Sequence, residues 1–138
     1  ELRNIQTITV KDYIKSKPYL SALPTLSAIN INTASKQVLS CIHHQLSGAL
    51  VDEIIRHREN QPFNTIDQFW SYTHSLLPNL TLEEIKDSFP VEFTNTLSDY
   101  FLLETEIIIE NNKLIGQTIM HRKDGKITIM NRSYHQAP

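Results

Sequence analysis

The spacing of the apolar residues changes once along this chain, at Pro90. Before Pro90 the apolar residues recur with the period of an amphipathic helix, whereas from Leu97 onward the period is close to two. One element cannot follow both patterns, so we predict an α+β fold. A small helical subdomain is expected over residues 1–90. A three-stranded antiparallel β-meander of one sheet is expected over residues 91–138.

The first part contains a series of residues suited to beginning helices. Their side-chain oxygens can accept hydrogen bonds from the free amides of a first helical turn. Thr81 is followed by Glu84 at the spacing of a capping box, in which each side chain bonds to the other residue's backbone. The predicted N-caps of five helices are Thr9, Asn32, Ser47, Thr65 and Thr81.

Two dipeptides divide the second part into three strands. Asn111-Asn112 and Asp124-Gly125 suit two-residue hairpins with positive φ. If the first dipeptide forms the turn, Ile109 opposes Leu114 in the first hairpin. The order of strands in the sheet then follows the order of the sequence.

The alternation gives the predicted sheet two different faces. The first face is expected to be dry, and it carries Phe101, Leu103, Ile107, Ile109, Leu114, Met120, Ile127 and Ile129. The second face mixes polar and apolar residues, among them Glu104, Glu106, Gln117, His121 and Thr128. Its apolar residues are more than a free surface usually carries, so we expect a partner or another segment to cover them; they are Ile108, Ile115, Ile119 and Met130.

Residues 30–70 have the pattern of a helix-hairpin-helix unit. Their start and the later Pro62-Phe63 resemble nucleic-acid-binding modules of this type, including the DNA-uptake competence proteins. Such modules hold phosphate at helix N-termini through a glycine-rich turn. Here the turn is His43–Gly48, with one glycine and no lysine or arginine. We therefore expect no nucleic-acid binding, and a competence-type DNA-binding module remains the alternative function.

Composition narrows the function classes further. The chain of 138 residues has a net charge of -2 and a pI of about 6.3, so it has no broad attraction to phosphate or membrane surfaces. No phosphate-binding glycine loop, Gly-x-Ser-x-Gly or His-Glu-x-x-His motif is present. No catalytic residue is predicted, and we expect no enzyme. The single cysteine, Cys41, excludes an internal disulfide and is expected to be a small buried thiol.

The order of several short motifs resembles the C-terminal part of the K-type minor pseudopilins of bacterial type II secretion systems. The resemblance covers nearly the whole chain. The motifs are Glu1-Leu2-Arg3, Leu23-Pro24, residues 29–34, the helix with Arg56 and Arg58, Pro62-Phe63, residues 98–101 and Arg122.

This resemblance implies a non-enzymatic, structural subunit at the tip of a pseudopilus that serves protein export. Its partners would be the I-type and J-type minor pseudopilins. Residues 1–90 would be the later part of a helical insert, and residues 91–138 the closing strands of a pilin-like sheet. The protein would be periplasmic, held in the inner membrane of a Gram-negative bacterium by an N-terminal helix outside this chain.

Two metal sites are considered. The K-type family is associated with calcium, which prefers 6–8 oxygen ligands, and the local candidates are Asp99, Glu104 and Glu106. Glutamates that alternate along a strand also suit a solvated face. A zinc site requires four well-placed ligands; the candidates are Cys41, His43 and His44, with His57 or His74 as a distant fourth. A solvated turn with two polar histidines is the preferred interpretation of that cluster.

Overall fold

The structure, a computed structural model, describes residues 8–20, 23–46, 48–110 and 112–136. It confirms the α+β fold, with a helical part followed by a three-stranded antiparallel meander. The elements are α1 (Val10–Ser16), a 3₁₀ turn (Lys17–Tyr19), β1 (Ile29–Asn30), α2 (Lys36–Ile42), α3 (Gly48–Asn60), α4 (Ile66–Leu76), α5 (Leu82–Ser88), β2 (Thr94–Asn95), β3 (Tyr100–Ile109), β4 (Asn112–Lys123) and β5 (Lys126–Gln136).

Three of the predicted N-caps are confirmed. The side chains of Thr9, Thr65 and Thr81 each accept a hydrogen bond from the backbone amide three residues later, and Thr9 and Thr81 complete capping boxes. The predicted cap at Asn32 is wrong, because α2 begins later and Ser35 caps it. The predicted cap at Ser47 lies outside the described residues.

The core lies within the helical part. Apolar residues three or four positions apart on α3, α4 and α5 point to a common centre, as helical periodicity requires. At the centre of this core, Phe69 makes edge-to-face contacts with two other rings. The distance between ring centroids is 5.5 Å to Phe63 and 5.4 Å to Phe89. The buried apolar residues are Ile31, Leu39, Leu46, Val51, Ile54, Phe63, Phe69, Trp70, Ile85 and Phe89.

Asn32 ties two loops of the helical part together. Its Nδ2 donates to the Phe63 carbonyl at 2.8 Å and to the Thr96 carbonyl at 3.2 Å, while its Oδ1 accepts from the Phe63 amide at 3.0 Å. One amide side chain therefore satisfies both backbone groups of Phe63. This tertiary role explains why Asn32 does not cap α2.

A short parallel pair joins the start of the core to its end. Residues Ile29 and Asn30 of β1 pair with Thr94 and Asn95 of β2. Thr94 is buried, and its hydroxyl donates to the Phe89 carbonyl at 2.9 Å. The segment that follows Pro90 is thus bound to the helical part before the chain enters the meander.

The first hairpin of the meander has a different register from the predicted one. Ile109 opposes Asn112 and not Leu114, so the loop lies one residue earlier than expected. The predicted turn residue Asn111 lies outside the described residues. Because the register has moved by two residues, the membership of each face is unchanged.

Cross-strand pairs account for this register. Glu104 lies opposite Gln117, whose Nε2 donates to the carboxylate at 2.7 Å. Ile107 lies opposite Leu114, which places two apolar side chains together. Such pairs stabilise antiparallel strands. These pairs favour the observed register over the one that a turn at Asn111-Asn112 would give.

The second hairpin is as predicted, with Met120 opposite Ile129. Asp124 and Gly125 form its turn with φ values of 51° and 72°. The register then shifts between Ile119 and Met120. Met130 is the extra residue of this bulge and has no direct partner on β4.

The prediction of a dry first face is wrong for the described residues. On β3, Phe101, Leu103 and Ile107 are 39%, 46% and 45% exposed, and on β5 Ile127 is 66% exposed. The reason is that the helices pack on one another and contribute no layer over the meander. Both faces of the sheet are open in the part of the chain that the structure describes.

The connection between the helical part and the meander is polar. The hydroxyl of Ser98 accepts from Asn30 Nδ2 at 2.9 Å, and its carbonyl accepts from Arg122 Nη2 at 2.8 Å. A second contact joins the hydroxyls of Thr25 and Tyr100 at 2.7 Å. These bonds set the position of β3 relative to the helical core.

Candidate interaction surface

The four apolar residues predicted to meet a partner occupy the sheet as follows. Ile115 and Ile119 lie on β4 and share one face with Ile108 on β3. Ile108 is 66% exposed and Met130 is 43% exposed, while Ile115 and Ile119 are half-buried. The structure therefore brings the three isoleucines to a single face. It places Met130 beside them at the bulge of β5.

Ile119 also borders a shallow cleft of about 290 Å³. The cleft lies where the meander meets the segment before β1, and its lining is almost entirely apolar. It is formed by Leu23, Tyr100, Phe101, Leu102 and Ile119. The apolar surface of the second face thus continues to the junction with the helical part.

The candidate calcium residues do not form a site in the described structure. Glu104 accepts the hydrogen bond from Gln117, and Glu106 forms an ion pair with Lys113 at 3.0 Å. Asp99 precedes β3, and its carbonyl accepts from the Arg122 amide at 2.7 Å. Among the described residues no three metal-ligating side chains come together. These residues do not fit the oxygen-rich shell that calcium needs.

The turn between α2 and α3 is built around histidine and not glycine. His43 Nδ1 accepts from the Gln45 amide at 3.3 Å, and its ring packs 5.5 Å from the ring of Phe89. Burial, followed by the charge of His44, lowers the pKa of His43. Leu46 is buried. Side-chain packing therefore holds the described part of this turn, residues 43–46.

Arg58 points into the molecule. Its guanidinium donates to the Ile31 carbonyl at 2.5 Å and to the Ala34 carbonyl at 2.7 Å. Desolvation lowers its pKa, although Glu59 acts in the opposite direction. The nearby Arg56 is exposed and pairs with Glu53 at 2.6 Å. Neither arginine presents an uncommitted charge to a phosphate.

Cys41 is exposed, so the prediction of a buried thiol is wrong. It lies on the side of α2 that faces the 3₁₀ turn, where it lines an open groove of about 420 Å³ with Tyr19 and Leu20. Leu26, in the segment that precedes β1, is 88% exposed. His43 and His44 do not join Cys41 in any three-ligand cluster of the described residues.

Within the described ranges, every helix is too short or too polar to cross a lipid bilayer. The longest, α3, has 13 residues, whereas a bilayer requires about 20 apolar ones.

Comparisons with known proteins give the same family as the order of motifs in the sequence. A family model described as "Type II secretion system (T2SS), protein K" matches residues 29–86. The "Type II secretion system protein K" of Pseudomonas aeruginosa is 28% identical over 137 residues, which is 99% of this chain. Both matches support a K-type pseudopilin of type II secretion. The resemblance predicted from the sequence is thereby confirmed.

The family match covers most of the helical part of this chain. Residues 29–86 run from β1 to α5 and include nearly all of the helical core. The meander lies outside the family match, but the Pseudomonas protein aligns across it. The chain spans 38% of the length of that relative.

The sequence predicted the apolar residues of the meander, but it did not reveal two other features of the structure. One is the network of Asn30, Ser98 and Arg122, whose members lie far apart in sequence. The other is an aromatic cluster of His57, Phe63 and Tyr72 on the surface of the helical part. The i, i+15 spacing of His57 and Tyr72 has no periodic meaning, so no local signal could have revealed it.

Proposed function

We propose that this chain is the periplasmic part of a minor pseudopilin that acts at the tip of the pseudopilus as a structural, non-catalytic component. In this proposal residues 1–90 are the later part of a helical insert, and residues 91–138 are closing strands of a pilin-like sheet. An N-terminal helix outside this chain would hold the protein in the inner membrane of a Gram-negative bacterium.

The observation that carries the proposal is the open, apolar meander. Three hydrogen-bonded strands of 10, 12 and 11 residues display isoleucine, leucine and phenylalanine on both faces. Soluble proteins rarely leave contiguous apolar surfaces of this kind uncovered. Such a sheet is expected in a protein that functions inside an assembly.

The packed core of the helical part supports the same role. This core is continuous from Ile31 to Phe89. Ion pairs on the surface of the helical part include Lys36 with Asp52 at 2.5 Å. A compact body beside a sheet adds bulk to one end of a subunit. At a pilus tip such bulk would prevent the addition of a further subunit above it.

We assign the second face of the sheet to a sibling subunit or to the N-terminal helix. Ile108, Ile115, Ile119 and Met130 supply its apolar contacts. Glu104 and Glu106 lie on the same face; Glu104 accepts a hydrogen bond from Gln117, and Glu106 forms an ion pair with Lys113. We name the I-type and J-type minor pseudopilins as the sibling partners.

Mixing experiments with a longer periplasmic protein that contains this chain test the proposal. We expect association with the I-type and J-type partners at micromolar concentration, measured by sedimentation velocity. Absence of association there contradicts the tip complex.

The structure offers a matched pair of variants for the same assay. Ile108 and Ile127 are both 66% exposed but lie on opposite faces of the sheet. Ile108→Glu is expected to weaken association at least about tenfold, equal to about 1.4 kcal/mol, and Ile127→Glu to leave it unchanged. The opposite order assigns the partner to the first face.

A further inference from the structure

A cleft on the helical part combines an aromatic wall with one carboxylate. It has a volume of about 500 Å³ and lies between the C-terminal end of α3 and the outer side of α4. His57, Phe63 and Tyr72 form the wall, and Gln61, Asp67 and Gln68 lie around it. Apolar clefts with a few polar groups at defined positions are the usual form of protein binding sites.

The three rings of the wall contact one another. The ring of His57 stacks on Tyr72 with centroids 4.0 Å apart and on Phe63 at 4.9 Å. Phe63 is held at its backbone by Asn32 and at its ring by Phe69. The wall is therefore positioned by contacts with the protein core.

The charge of the cleft is negative. Asp67 is the single carboxylate among the lining residues, and no lysine or arginine lines the cleft. Within the described residues Asp67 forms no ion pair. The charge of Arg56 on the neighbouring turn of α3 is offset by Glu53, with which it forms an ion pair at 2.6 Å. Asp67 lies in the first turn of α4, where the helix dipole stabilises an acidic side chain. The dipole does not explain why this carboxylate lines the same cleft as three aromatic rings.

We propose that this cleft binds an arginine side chain presented by a protein partner. The guanidinium would lie over the ring of Tyr72 and pair with the Asp67 carboxylate. Arginine fits better than lysine, because a planar and weakly hydrated guanidinium stacks on aromatic faces and pairs with a carboxylate through two parallel bonds. The cleft is larger than one guanidinium and accommodates the neighbouring residues of the partner. The inference does not rest on the position at the pilus tip or on the meander.

Titration of the isotope-labelled chain with N-acetylarginine methylamide tests the inference by NMR. We expect saturable shifts of the backbone amides of residues 57, 63, 67 and 72, with a Kd of about 1 mM or weaker. The citrulline derivative has the same shape without the charge, and we expect it to bind at least about fivefold more weakly. Equal binding of the two compounds, or shifts confined to other residues, would overturn the assignment.

Single substitutions distinguish the contribution of the Asp67 charge to binding from that of the Tyr72 ring. Asp67→Asn is expected to weaken binding about fivefold or more, whereas Glu83→Gln, which also removes an acid from a first helical turn, leaves it unchanged. Tyr72→Phe keeps the ring and should retain binding, while Tyr72→Leu should lose it. The amide spectrum of each variant reports whether it is folded. If Tyr72→Leu is unfolded, the comparison of Asp67→Asn with Glu83→Gln decides the result.

Discussion

The guanidinium of Arg58 holds the segment that leads into α2. It bonds to two carbonyls, those of Ile31 and Ala34, which lie in the segment between β1 and α2. Unpaired carbonyls near a core are costly, so Arg58 stabilises this irregular turn. Arg56 lies two positions earlier and faces solvent. The same residue type thus has a structural role at one position and a surface role at the other.

We predict that Arg58→Met lowers the free energy of unfolding by about 1.5 kcal/mol, because two charge-assisted bonds are lost from a partly exposed site. Urea denaturation followed by the fluorescence of Trp70 measures the change. Arg56→Met is the control and should have little effect. A larger loss for Arg56→Met would show that Arg58 does not hold the turn.

At the scale of single elements, α5 illustrates how a short helix begins. Thr81 and Glu84 bond to each other's backbone, with the Thr81 amide 2.7 Å from a Glu84 carboxylate oxygen. A helix of 7 residues has little stability of its own. The capping box and the burial of Ile85 and Phe89 together keep it in place.

The capping box gives α5 a pH dependence. Hydrogen bonds from the Thr81 backbone and then its side chain lower the pKa of Glu84 below 4.5. The pKa of Glu84 is lower in the folded chain than in the unfolded chain. The ionised carboxylate therefore stabilises the folded chain at any pH above the ordinary glutamate pKa. This stabilisation is lost as the pH falls through the folded-state pKa. We expect Glu84→Gln to lose less stability than the parent chain on acidification, measured by urea midpoints. Glu83→Gln should follow the parent chain, and identical curves for all three would exclude the linkage.

Gly116 on β4 and Gly48 on α3 differ in the space available for a side chain. A Cβ on Gly116 of β4 would lie 2.6 Å from Thr105 Oγ1 and 3.0 Å from Tyr134 Cε1. We predict that Gly116→Ala costs about 1–2 kcal/mol of unfolding free energy. A Cβ on Gly48 would meet nothing within 4 Å, so Gly48→Ala should be neutral or slightly stabilising. Thermal denaturation measures both, and an equal loss would contradict the crowding at β4.

At the scale of the whole molecule, a closed helical core adjoins an open sheet. The core is built from residues between Ile31 and Phe89, and none of the buried apolar side chains among the described residues belongs to the meander. The two parts are joined by the polar contacts of Ser98 and Tyr100. Polar junctions position a sheet without covering it, which leaves the strands available to other chains or segments.

We predict that the isolated chain self-associates through the meander. Ile107→Lys combined with Ile127→Lys should raise the concentration at which association begins, without lowering the free energy of unfolding, because both side chains are exposed. Sedimentation velocity and urea denaturation measure the two effects. Thr128→Lys, on the second face, is the control for added charge. If the double variant associates at the same concentration as the parent chain, the first face does not mediate self-association.

The sequence alone determined the order of the helices α1 to α5 and of the meander strands β3 to β5, the threonine caps, the second hairpin and the membership of both sheet faces, but not the pair of β1 with β2. All of these depend on residues within about five positions of one another, where helical and strand periods and turn preferences act. The motif order also indicated the K-type family, which the comparisons support.

Only the tertiary structure decided what Asn32, Arg58 and Cys41 do, and whether the first face is covered. Asn32 binds Phe63 and not its own helix because the partner is 31 residues away. The sheet is open because the helices bury their apolar faces against each other, and periodicity cannot specify which apolar surfaces meet. Local patterns define elements, whereas the pairing of their surfaces depends on contacts between residues distant in sequence.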